Sequence, residues 1–437
     1  MSTVTDRVRG RLGGRLWLTA ILFGLVGQIA WVVENMYFAT LAQDVLSNSG
    51  RPELSYIITT LMVIFSAITA TATAILAGGF SDRIGKRRPL VAYGYLAWGV
   101  TIMLFGLLPM RAEGAMVVTV SVLLVLFDCL MTFCGSAAND AAFNAWVADV
   151  TDPENRGRVN GVLSTLPVLA VVIVFLLIGP LYHAENESNL SFFLVLGAIP
   201  LLAGVAAIFC FRDPEGLTPG RGSGFLRDAL YGLSPRIVRK NPMMYVTLAA
   251  ACLVGIAQQT FFSYLINFVV ITLGLGDGFV VPMAVIIVGA AALTGGVGVL
   301  SDRLGRRRFY FPLLGIAVVG MLAMYLLRHL SGGALTAVLY LGGILMMGGI
   351  LALTGTLTAA FQDLIPEGCE GRFQGVRMCF TVLIPMIVGP LISLAIGLDA
   401  MGMNGEGFVP PYSIFLAGAI VATLAALPLW LVRKHEK

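Results

Sequence analysis

The sequence predicts an all-α membrane protein with twelve transmembrane helices arranged as two pseudo-symmetric bundles of six. Its composition, its long apolar stretches and an internal repeat lead to this prediction. Apolar residues make up 58% of the 437 residues and charged residues only 12%, which is far from the composition of a water-soluble domain. Because unpaired strand edges leave backbone groups without partners in lipid, we expect the chain to be helical.

Twelve apolar stretches are long enough to cross a bilayer. A transmembrane helix needs ~20 mostly apolar residues, and the chain holds about a dozen such stretches with short connections between them. The predicted spans are roughly 15–43, 54–80, 89–110, 116–149, 158–183, 190–211, 243–272, 279–300, 309–328, 333–363, 372–398 and 410–432.

An internal repeat divides these spans into two sets. Residues 78–88 read Gly-Gly-Phe-Ser-Asp-Arg-Ile-Gly-Lys-Arg-Arg, and residues 298–308 read Gly-Val-Leu-Ser-Asp-Arg-Leu-Gly-Arg-Arg-Arg. A second pair of segments, 149–161 and 363–375, keeps the spacing of an aspartate, an arginine and two glycines. Two matches at nearly the same offset indicate a duplicated chain, and internal symmetry of two membrane halves is typical of transporters.

Lysine and arginine set the predicted orientation. Of the 28 such residues, all but Arg51, Arg111 and Arg328 fall in the termini, in connections on one side or in the helix ends next to them. Positive residues accumulate on the cytoplasmic side, so we expect a multi-pass protein of the cell membrane with both termini in the cytoplasm. Glycine and proline mark a cytoplasmic linker whose basic part lies on the inner leaflet. The predicted division is a bundle at 1–212, a linker at 213–242 and a bundle at 243–437.

The repeated loop resembles the signature loop of the major facilitator superfamily. Both copies read Gly-x-x-x-Asp-Arg-x-Gly-[Lys/Arg]-Arg-Arg and follow the second or eighth span. Within that superfamily, residues 139–149 with Pro153 and residues 156–158 are similar to the fourth helix and following loop of glycoside-pentoside-hexuronide:cation symporters and the sucrose-transporter-like group. The resemblance implies a transporter that carries a sugar or glycoside with a cation by alternating access.

The charged residues of the repeats have two interpretations. Glycines turn the chain tightly, acids suit helix N-termini and arginines stay in the headgroup zone, so these residues either enforce topology alone or act as a gate. The resemblance implies the gate, in which the charges pair with neighbouring helix ends in one state and release in the other. The predicted gating residues are Gly78, Asp82, Arg83, Gly298, Asp302, Arg303, Asp149, Arg158, Asp363 and Arg372.

Three acids fall inside predicted spans. Each ionisable side chain at a helix centre costs roughly 2.5–3.5 kcal/mol and is seldom kept without a function. Glu34 and Asp128 both lie ~14–17 Å from the outer ends of their helices at 1.5 Å per residue, which allows them to face each other and share a proton. The alternative is that each carboxylate is simply hydrogen-bonded to a neighbouring helix. The predicted coupling-ion residues are Glu34, Asp128 and Asp140.

Melibiose-type symporters offer two further comparisons. They carry a lysine in the eleventh helix, where this chain has Arg377; it either reaches the cytoplasm or pairs with Asp140 or Asp149. They also place sodium-binding aspartates in the second helix, and the absence of acids from this span favours a proton over sodium. The polar residues of this span are Thr59, Thr60, Ser66, Thr69, Thr71 and Thr73.

Sugar recognition needs side chains that donate and accept hydrogen bonds, beside an aromatic face. On the fourth span Asp128, Thr132 and Asn139 share one helical stripe, while Asp140 and Asn144 form a second polar face. The resemblance assigns Asp140 to the sugar. For each aromatic residue, plain packing is the simpler interpretation. The predicted substrate-binding residues are Gln28, Trp31, Asn35, Asn139, Asp140, Asn144, Gln258, Gln259, Tyr264 and Asn267.

These patterns favour a proton-coupled symporter of a sugar or glycoside. The alternative is a proton-driven exporter of drugs or amphiphiles, including lysolipids, although Phe175 stands where the antiporter motif has a glycine before Gly179. Catalytic triads, metal-ligand spacings and phosphate loops are missing from the sequence, so we expect neither an enzyme nor a cofactor or metal. The net charge of +4 reflects topology rather than nucleic-acid binding. We expect a monomer whose partners are a small-molecule substrate, a cation and the bilayer.

Overall fold

The protein is helical throughout the part of the chain that can be described. The computed structural model describes residues 13–151, 159, 162–163, 165–183, 187–213, 234–365, 370–404 and 409–435. Within these ranges there is no β-strand, and eleven helices are long and apolar enough to cross a bilayer. A twelfth apolar helix is shorter in its described part. The predicted all-α membrane fold is therefore confirmed.

Six helices form the first half of the chain. Their ends follow local chemistry: α2 stops at Gly85, whose φ of +66° is left-handed and suits a helix C-terminus, and α3 has a proline in its first turn. The start of the fifth predicted span lies largely outside the described residues. The helices are α1 Gly14–Asn48, α2 Leu54–Ile84, α3 Arg88–Leu104, α4 Ala115–Val150, α5 Leu166–Leu181 and α6 Leu190–Cys210.

Six more helices form the second half. The helix α7 is interrupted after Phe262 and continues as Leu265–Asn267 and a π-helical segment, whereas the sequence predicted one uninterrupted span. Of the predicted linker, 214–233 lies outside the described residues, and Pro235–Lys240 is a short helix; the division into domains stays a prediction. The helices are α7 Pro242–Phe262 with its continuation, α8 Val280–Leu304, α9 Tyr310–Leu326, α10 Gly332–Asp363, α11 Glu370–Met378, Cys379–Leu383 and Ile384–Asn404, and α12 Ser413–Leu424 and Ala426–His435.

The same helix pairs pack together in both halves. Contacts of α2 with α4, α3 with α6 and α1 with α5 recur as α8 with α10, α9 with α12 and α7 with α11. Between the halves, α2 packs against α11 and α5 against α8. This pairing is the pseudo-twofold arrangement that the repeat predicts, and it puts α1, α2, α4, α7 and α11 around the space between the halves.

A π-helical segment, Ser136–Phe143, interrupts α4. A π-helix has more residues per turn than an α-helix and often occurs at functional sites. It turns the residues that follow Gly135 away from the stripe expected for a regular α-helix. The stripe that places Asn139 with Asp128 and Thr132 therefore does not continue past Gly135.

Close packing of α3 on α6 depends on two facing glycines. A Cβ on Gly99 would lie 2.5 Å from the Gly197 carbonyl oxygen and 2.7 Å from the Leu201 backbone nitrogen. We expect Gly99→Ala to lower the stability by roughly 1–3 kcal/mol, because backbone cannot yield to the added methyl group. The thermal unfolding midpoint of purified protein measures this. Gly315→Ala is the matched control, since a Cβ there meets nothing within 4 Å; equal losses would contradict the prediction.

Candidate functional site

Glu34 is hydrogen-bonded to two other helices. Its Oε1 accepts hydrogen bonds from the hydroxyl of Ser66 on α2, at 2.6 Å, and from that of Thr132 on α4, at 3.0 Å. The two hydroxyl oxygens are 2.8 Å apart. Among the described residues the other carboxylate oxygen, Oε2, has no hydrogen-bond partner. This acid therefore joins α1, α2 and α4 while keeping one oxygen available.

Asp128 lies one helical turn from Thr132, on the same face of α4. Its side chain is 2% exposed, and its Oδ1 finds no hydrogen-bond partner in the described part of the chain. It is close enough to Glu34 for the two carboxyl groups to interact electrostatically. We call Glu34, Ser66, Asp128 and Thr132 the carboxyl cluster. Its two free oxygens can hold a proton or accept hydrogen bonds from a ligand.

The carboxyl cluster faces a small cavity between the two halves. The cavity holds about 30 Å³, which is room for water but not for a sugar. Four predicted site residues line it: Glu34, Asn35, Asp128 and Gln259. The sequence interpretation missed Phe38, Thr59, Met62, Ser263 and Met386, which complete the wall together with neighbours on α1 and α2. Of these five residues, only Thr59 had been singled out in the sequence, as one of the hydroxyl-bearing residues of the second span.

Asp140 lies farther along α4, toward the predicted cytoplasmic end. Its Oδ2 accepts a hydrogen bond of 2.9 Å from the Ser136 hydroxyl, and it interacts electrostatically with Arg377 of α11. Asn144 is exposed and donates to the backbone oxygen of Asp140 at 3.2 Å. Asp140 thus interacts electrostatically with Arg377 of the other half and also with Glu34 of the carboxyl cluster.

Other predicted substrate-binding residues lie inside the first half. The Asn139 amide donates to the Tyr95 hydroxyl at 2.7 Å, and its side chain fills the space beside Gly27. Trp31 packs on Trp98, with ring centroids 5.0 Å apart. These contacts hold helices of one bundle together and do not reach the wall of the cavity. Two further predicted residues are half-buried away from this wall, Gln28 and Gln258.

Tyr264 and Asn267 join the two halves at the predicted outer end. The Tyr264 hydroxyl is 3.0 Å from that of Thr60, and its ring packs on Tyr56 at 5.3 Å. The Thr40 hydroxyl donates to Asn267 Oδ1 at 3.1 Å. We call these five residues the outer contact. The outer contact joins α1 and α2 of the first half to α7 of the second, so we expect it to keep the predicted outer side of the cavity closed.

Loss of the hydroxyl at position 264 is expected to weaken this closure. A hydrogen bond of this kind contributes roughly 0.5–1.5 kcal/mol, so Tyr264→Phe is expected to raise the outward-open population by roughly two- to tenfold. Labelling of Ser263→Cys by an impermeant maleimide, in a background without native cysteines, reports this opening. Tyr93→Phe, at an exposed tyrosine, controls for the substitution. An unchanged labelling rate in Tyr264→Phe would count against the outer contact as a gate.

The repeated loops differ in how their charges pair. In the first half Arg87 Nε contacts Asp149 Oδ2 at 3.0 Å and Arg87 Nη1 donates to Ser81 at 2.7 Å. In the second half Arg306 pairs with Asp363. Arg87 and Arg306 were part of the repeat motif, but were not among the predicted gating residues.

The remaining predicted gating residues divide into two groups. Gly78 and Gly298 lie on α2 and α8, where a Cβ would meet nothing within 4 Å, and Arg83 is exposed. Arg158 lies outside the described residues, and so do four gating side chains: Asp82, Asp302, Arg303 and Arg372.

A pair of six-helix bundles around a shared, carboxyl-lined cavity defines a secondary-transporter fold. The family model of the Major Facilitator Superfamily matches residues 16–390. The chain therefore belongs to the major facilitator superfamily and is a transporter. No curated protein has a sequence that matches it significantly.

Solved transporter structures share the fold of this chain. A mutant of the nucleoside transporter NupG is 13% identical, with a TM-score of 0.72 and coverage of 95% of this chain and 99% of that one. A bacterial homologue of the human lysosomal transporter Spinster, inward-facing and unoccupied, is 15% identical with a TM-score of 0.72 and coverage of 97% and 98%. A D-xylose-proton symporter is 14% identical with a TM-score of 0.72 and coverage of 95% and 97%. At these identities the likeness concerns the fold.

Proposed function

We propose that this transporter is a proton-coupled symporter of a sugar or glycoside that works by alternating access. The observation that carries the proposal is the carboxyl cluster, in which Glu34 and Asp128 meet at a cavity between the halves. Two ionised carboxylates so near each other, away from water, repel strongly. Binding a proton removes this repulsion, so the cluster suits a proton carrier.

The proton can bind to either of the two unpartnered carboxylate oxygens. Glu34 Oε2 and Asp128 Oδ1 lack hydrogen-bond donors among the described residues. A protonated carboxyl group is a donor as well as an acceptor, so a proton on either acid also removes the repulsion between them. When the cavity opens and substrate hydroxyls or water reach the cluster, they replace this arrangement and the proton can leave.

Carboxamides from both halves support a substrate with several hydroxyl groups. Asn35 on α1 and Gln259 on α7 share the cavity wall with the acids, and carboxamides donate and accept hydrogen bonds together. The cavity of about 30 Å³ excludes a sugar. Binding therefore requires the halves to move apart, which is the movement of alternating access.

The proposal also covers the membrane location of the protein, its branch of the superfamily and its gating residues. The side preference of lysine and arginine supports a cell-membrane protein with cytoplasmic termini, and residues 139–149 support the glycoside-pentoside-hexuronide and sucrose-transporter-like branch. We propose that the charged pairs Arg87–Asp149 and Arg306–Asp363 are part of the gate, pairing helix ends in this state and releasing them in the other, in a chain that acts as a monomer.

Proteoliposomes containing the purified chain test the function. A panel of mono-, di- and trisaccharides is added with and without sodium, and the internal pH is recorded together with labelled sugar uptake. We expect at least one sugar to drive proton movement in the absence of sodium. Protein-free liposomes and liposomes with a collapsed pH gradient serve as controls.

Two outcomes would contradict the proposal. Sugar uptake that requires sodium and moves no protons would remove the proton role of the carboxyl cluster. Failure of every sugar, together with proton-driven efflux of a lipophilic cation or a lysolipid, would favour the exporter. A proton-driven exporter would use the acids in the same way as a symporter. Only the transported substrate therefore distinguishes the two functions.

A further inference from the structure

The loop between α2 and α3 is closed by an acid. The Asp213 carboxylate, just after α6, accepts hydrogen bonds from the backbone N–H groups of Arg87 at 2.7 Å and Arg88 at 2.8 Å. Together with Asp149 and Ser81 around the Arg87 guanidinium, this fills the space at the start of α3 with protein side chains. Negative charge at the start of a helix is favourable.

The corresponding position in the second half carries the opposite charge. The two loops are related by an offset of 308 − 88 = 220 positions, and the same offset from Asp213 leads to Arg433. Arg433 lies beside the start of α9, with its guanidinium 5.5 Å from the Phe311 ring centroid. Among the described residues, the second loop thus has Arg433 beside it where the first loop has Asp213.

The result is an open, basic pocket of about 780 Å³, within the usual size of ligand sites. Its polar wall, which we call the arginine pocket, consists of Ser301, Arg306, Arg307, Arg308, Asp363 and Arg433. Four arginines and one aspartate give these side chains a net charge of 4 − 1 = +3. Arg307 and Arg308 are exposed. An anion would occupy the place that the Asp213 carboxylate has in the first half.

The surroundings of the arginine pocket fit a lipid better than a soluble anion. It lies where α8, α10 and α12 end and α9 begins, so it is at headgroup depth. Leu304 in its wall is 49% exposed, and α12, which reaches the pocket through Arg433, exposes Leu427 at 71% and Trp430 at 53%. Such side chains suit acyl chains and the membrane interface, and a soluble phosphate would make no use of them.

We propose that the arginine pocket binds the phosphate group of an anionic phospholipid from the cytoplasmic leaflet. Arginine suits this ligand because its planar guanidinium forms paired hydrogen bonds with phosphate oxygens, and basic pockets at this depth attract anionic headgroups. The site is distinct from the transport cavity and depends on the proposed orientation only for the leaflet. It makes lipid binding a property of one half of the pseudo-symmetric protein.

Lipid binding to the purified full chain tests this site. Native mass spectrometry measures retention of phosphatidylglycerol and of phosphatidylcholine by the wild type and by the double variant Arg307→Gln/Arg308→Gln. Each surface arginine contributes roughly a fivefold factor to binding an anionic lipid, so we expect roughly twenty-five-fold weaker phosphatidylglycerol binding in the double variant. Phosphatidylcholine retention should not change. Arg433→Gln, measured separately, should weaken phosphatidylglycerol binding by roughly fivefold.

The matched control is Arg239→Gln/Lys240→Gln, which removes two exposed charges from the short helix on the same face. It is expected to retain wild-type phosphatidylglycerol binding. An equal loss in both double variants would reduce the effect to general surface charge and overturn the proposal. Inorganic phosphate is the remaining arm: if it displaces phosphatidylglycerol at equal concentration, the pocket is a soluble-anion site and the lipid assignment is wrong. Neither result bears on sugar transport, so the two proposals fail separately.

Discussion

Glu34→Gln is expected to abolish proton-driven accumulation of substrate, reducing it to the level of protein-free liposomes. The amide has nearly the shape of the carboxyl group and can still accept hydrogen bonds from Ser66 and Thr132, so the packing of α1, α2 and α4 should survive. It can no longer take up and release a proton. Counterflow of labelled against unlabelled substrate, which needs no net proton movement, should therefore be retained. Uptake under a pH gradient and counterflow, measured on the same liposomes, separate the two.

Glu53→Gln is the control for this prediction. It removes an acid of the same type from the exposed turn before α2, where Glu53 pairs with Arg51 at 3.1 Å, and it should leave accumulation unchanged. Asp128→Asn supplies a second variant of the carboxyl cluster and is expected to resemble Glu34→Gln. Full accumulation in both cluster variants would show that the proton is carried elsewhere.

The helices could be predicted from the sequence because each depends on a local property. Apolar length decides whether a segment spans a bilayer, and the repeat at 78–88 and 298–308 relates two halves without knowledge of any contact. The meeting of Glu34 with Asp128 was also accessible, since both depths follow from the rise of 1.5 Å per residue. Gln259, which lines the same cavity, was predicted as a site residue because α7 is the counterpart of α1 in the second half.

Side-chain direction could not be predicted where the backbone departs from a regular helix. The π-helical segment in α4 directs Asn139 toward Tyr95 and Gly27 instead of the cavity, and the turn before Leu265 brings Tyr264 against Thr60. Neither departure has a residue pattern that marks it. The cavity wall on α11 depends on contacts between the halves, and these are remote in sequence.

The two loops illustrate a related limit. Their sequences are nearly the same, yet Gly85 has φ of +66° and ψ of +27° whereas Gly305 has φ of +87° and ψ of +129°. The following basic residues consequently leave the helix end in different directions. In the first half the second basic residue after the glycine, Arg87, contacts Asp149. In the second half the first basic residue after the glycine, Arg306, contacts Asp363, the repeat counterpart of Asp149. The side chains that distant helix ends bring to the two loops also differ, with an acid at 213 and an arginine at 433.

This asymmetry leads to a strong prediction for Arg87→Gln. The Arg87 side chain is 7% exposed and that of Asp149 25%, so removing the arginine leaves a largely buried carboxylate without its counter-charge. Loss of one partner of a buried ion pair costs roughly 3–5 kcal/mol, and the partial exposure of Asp149 points to the lower end of that range. The thermal unfolding midpoint, followed by tryptophan fluorescence in detergent, is expected to fall markedly.

Arg306→Gln is the matched variant in the other half. There the side chains are 30% and 69% exposed, and an exposed pair contributes only about 0–1 kcal/mol, so the midpoint should hardly move. Adding Asp149→Asn to Arg87→Gln should recover part of the lost stability, because it removes the unpaired charge that Arg87→Gln leaves behind. Equal destabilisation by Arg87→Gln and Arg306→Gln would mean that the two loops are held in the same way, and the pseudo-symmetry would then extend to the charges as well as to the helices.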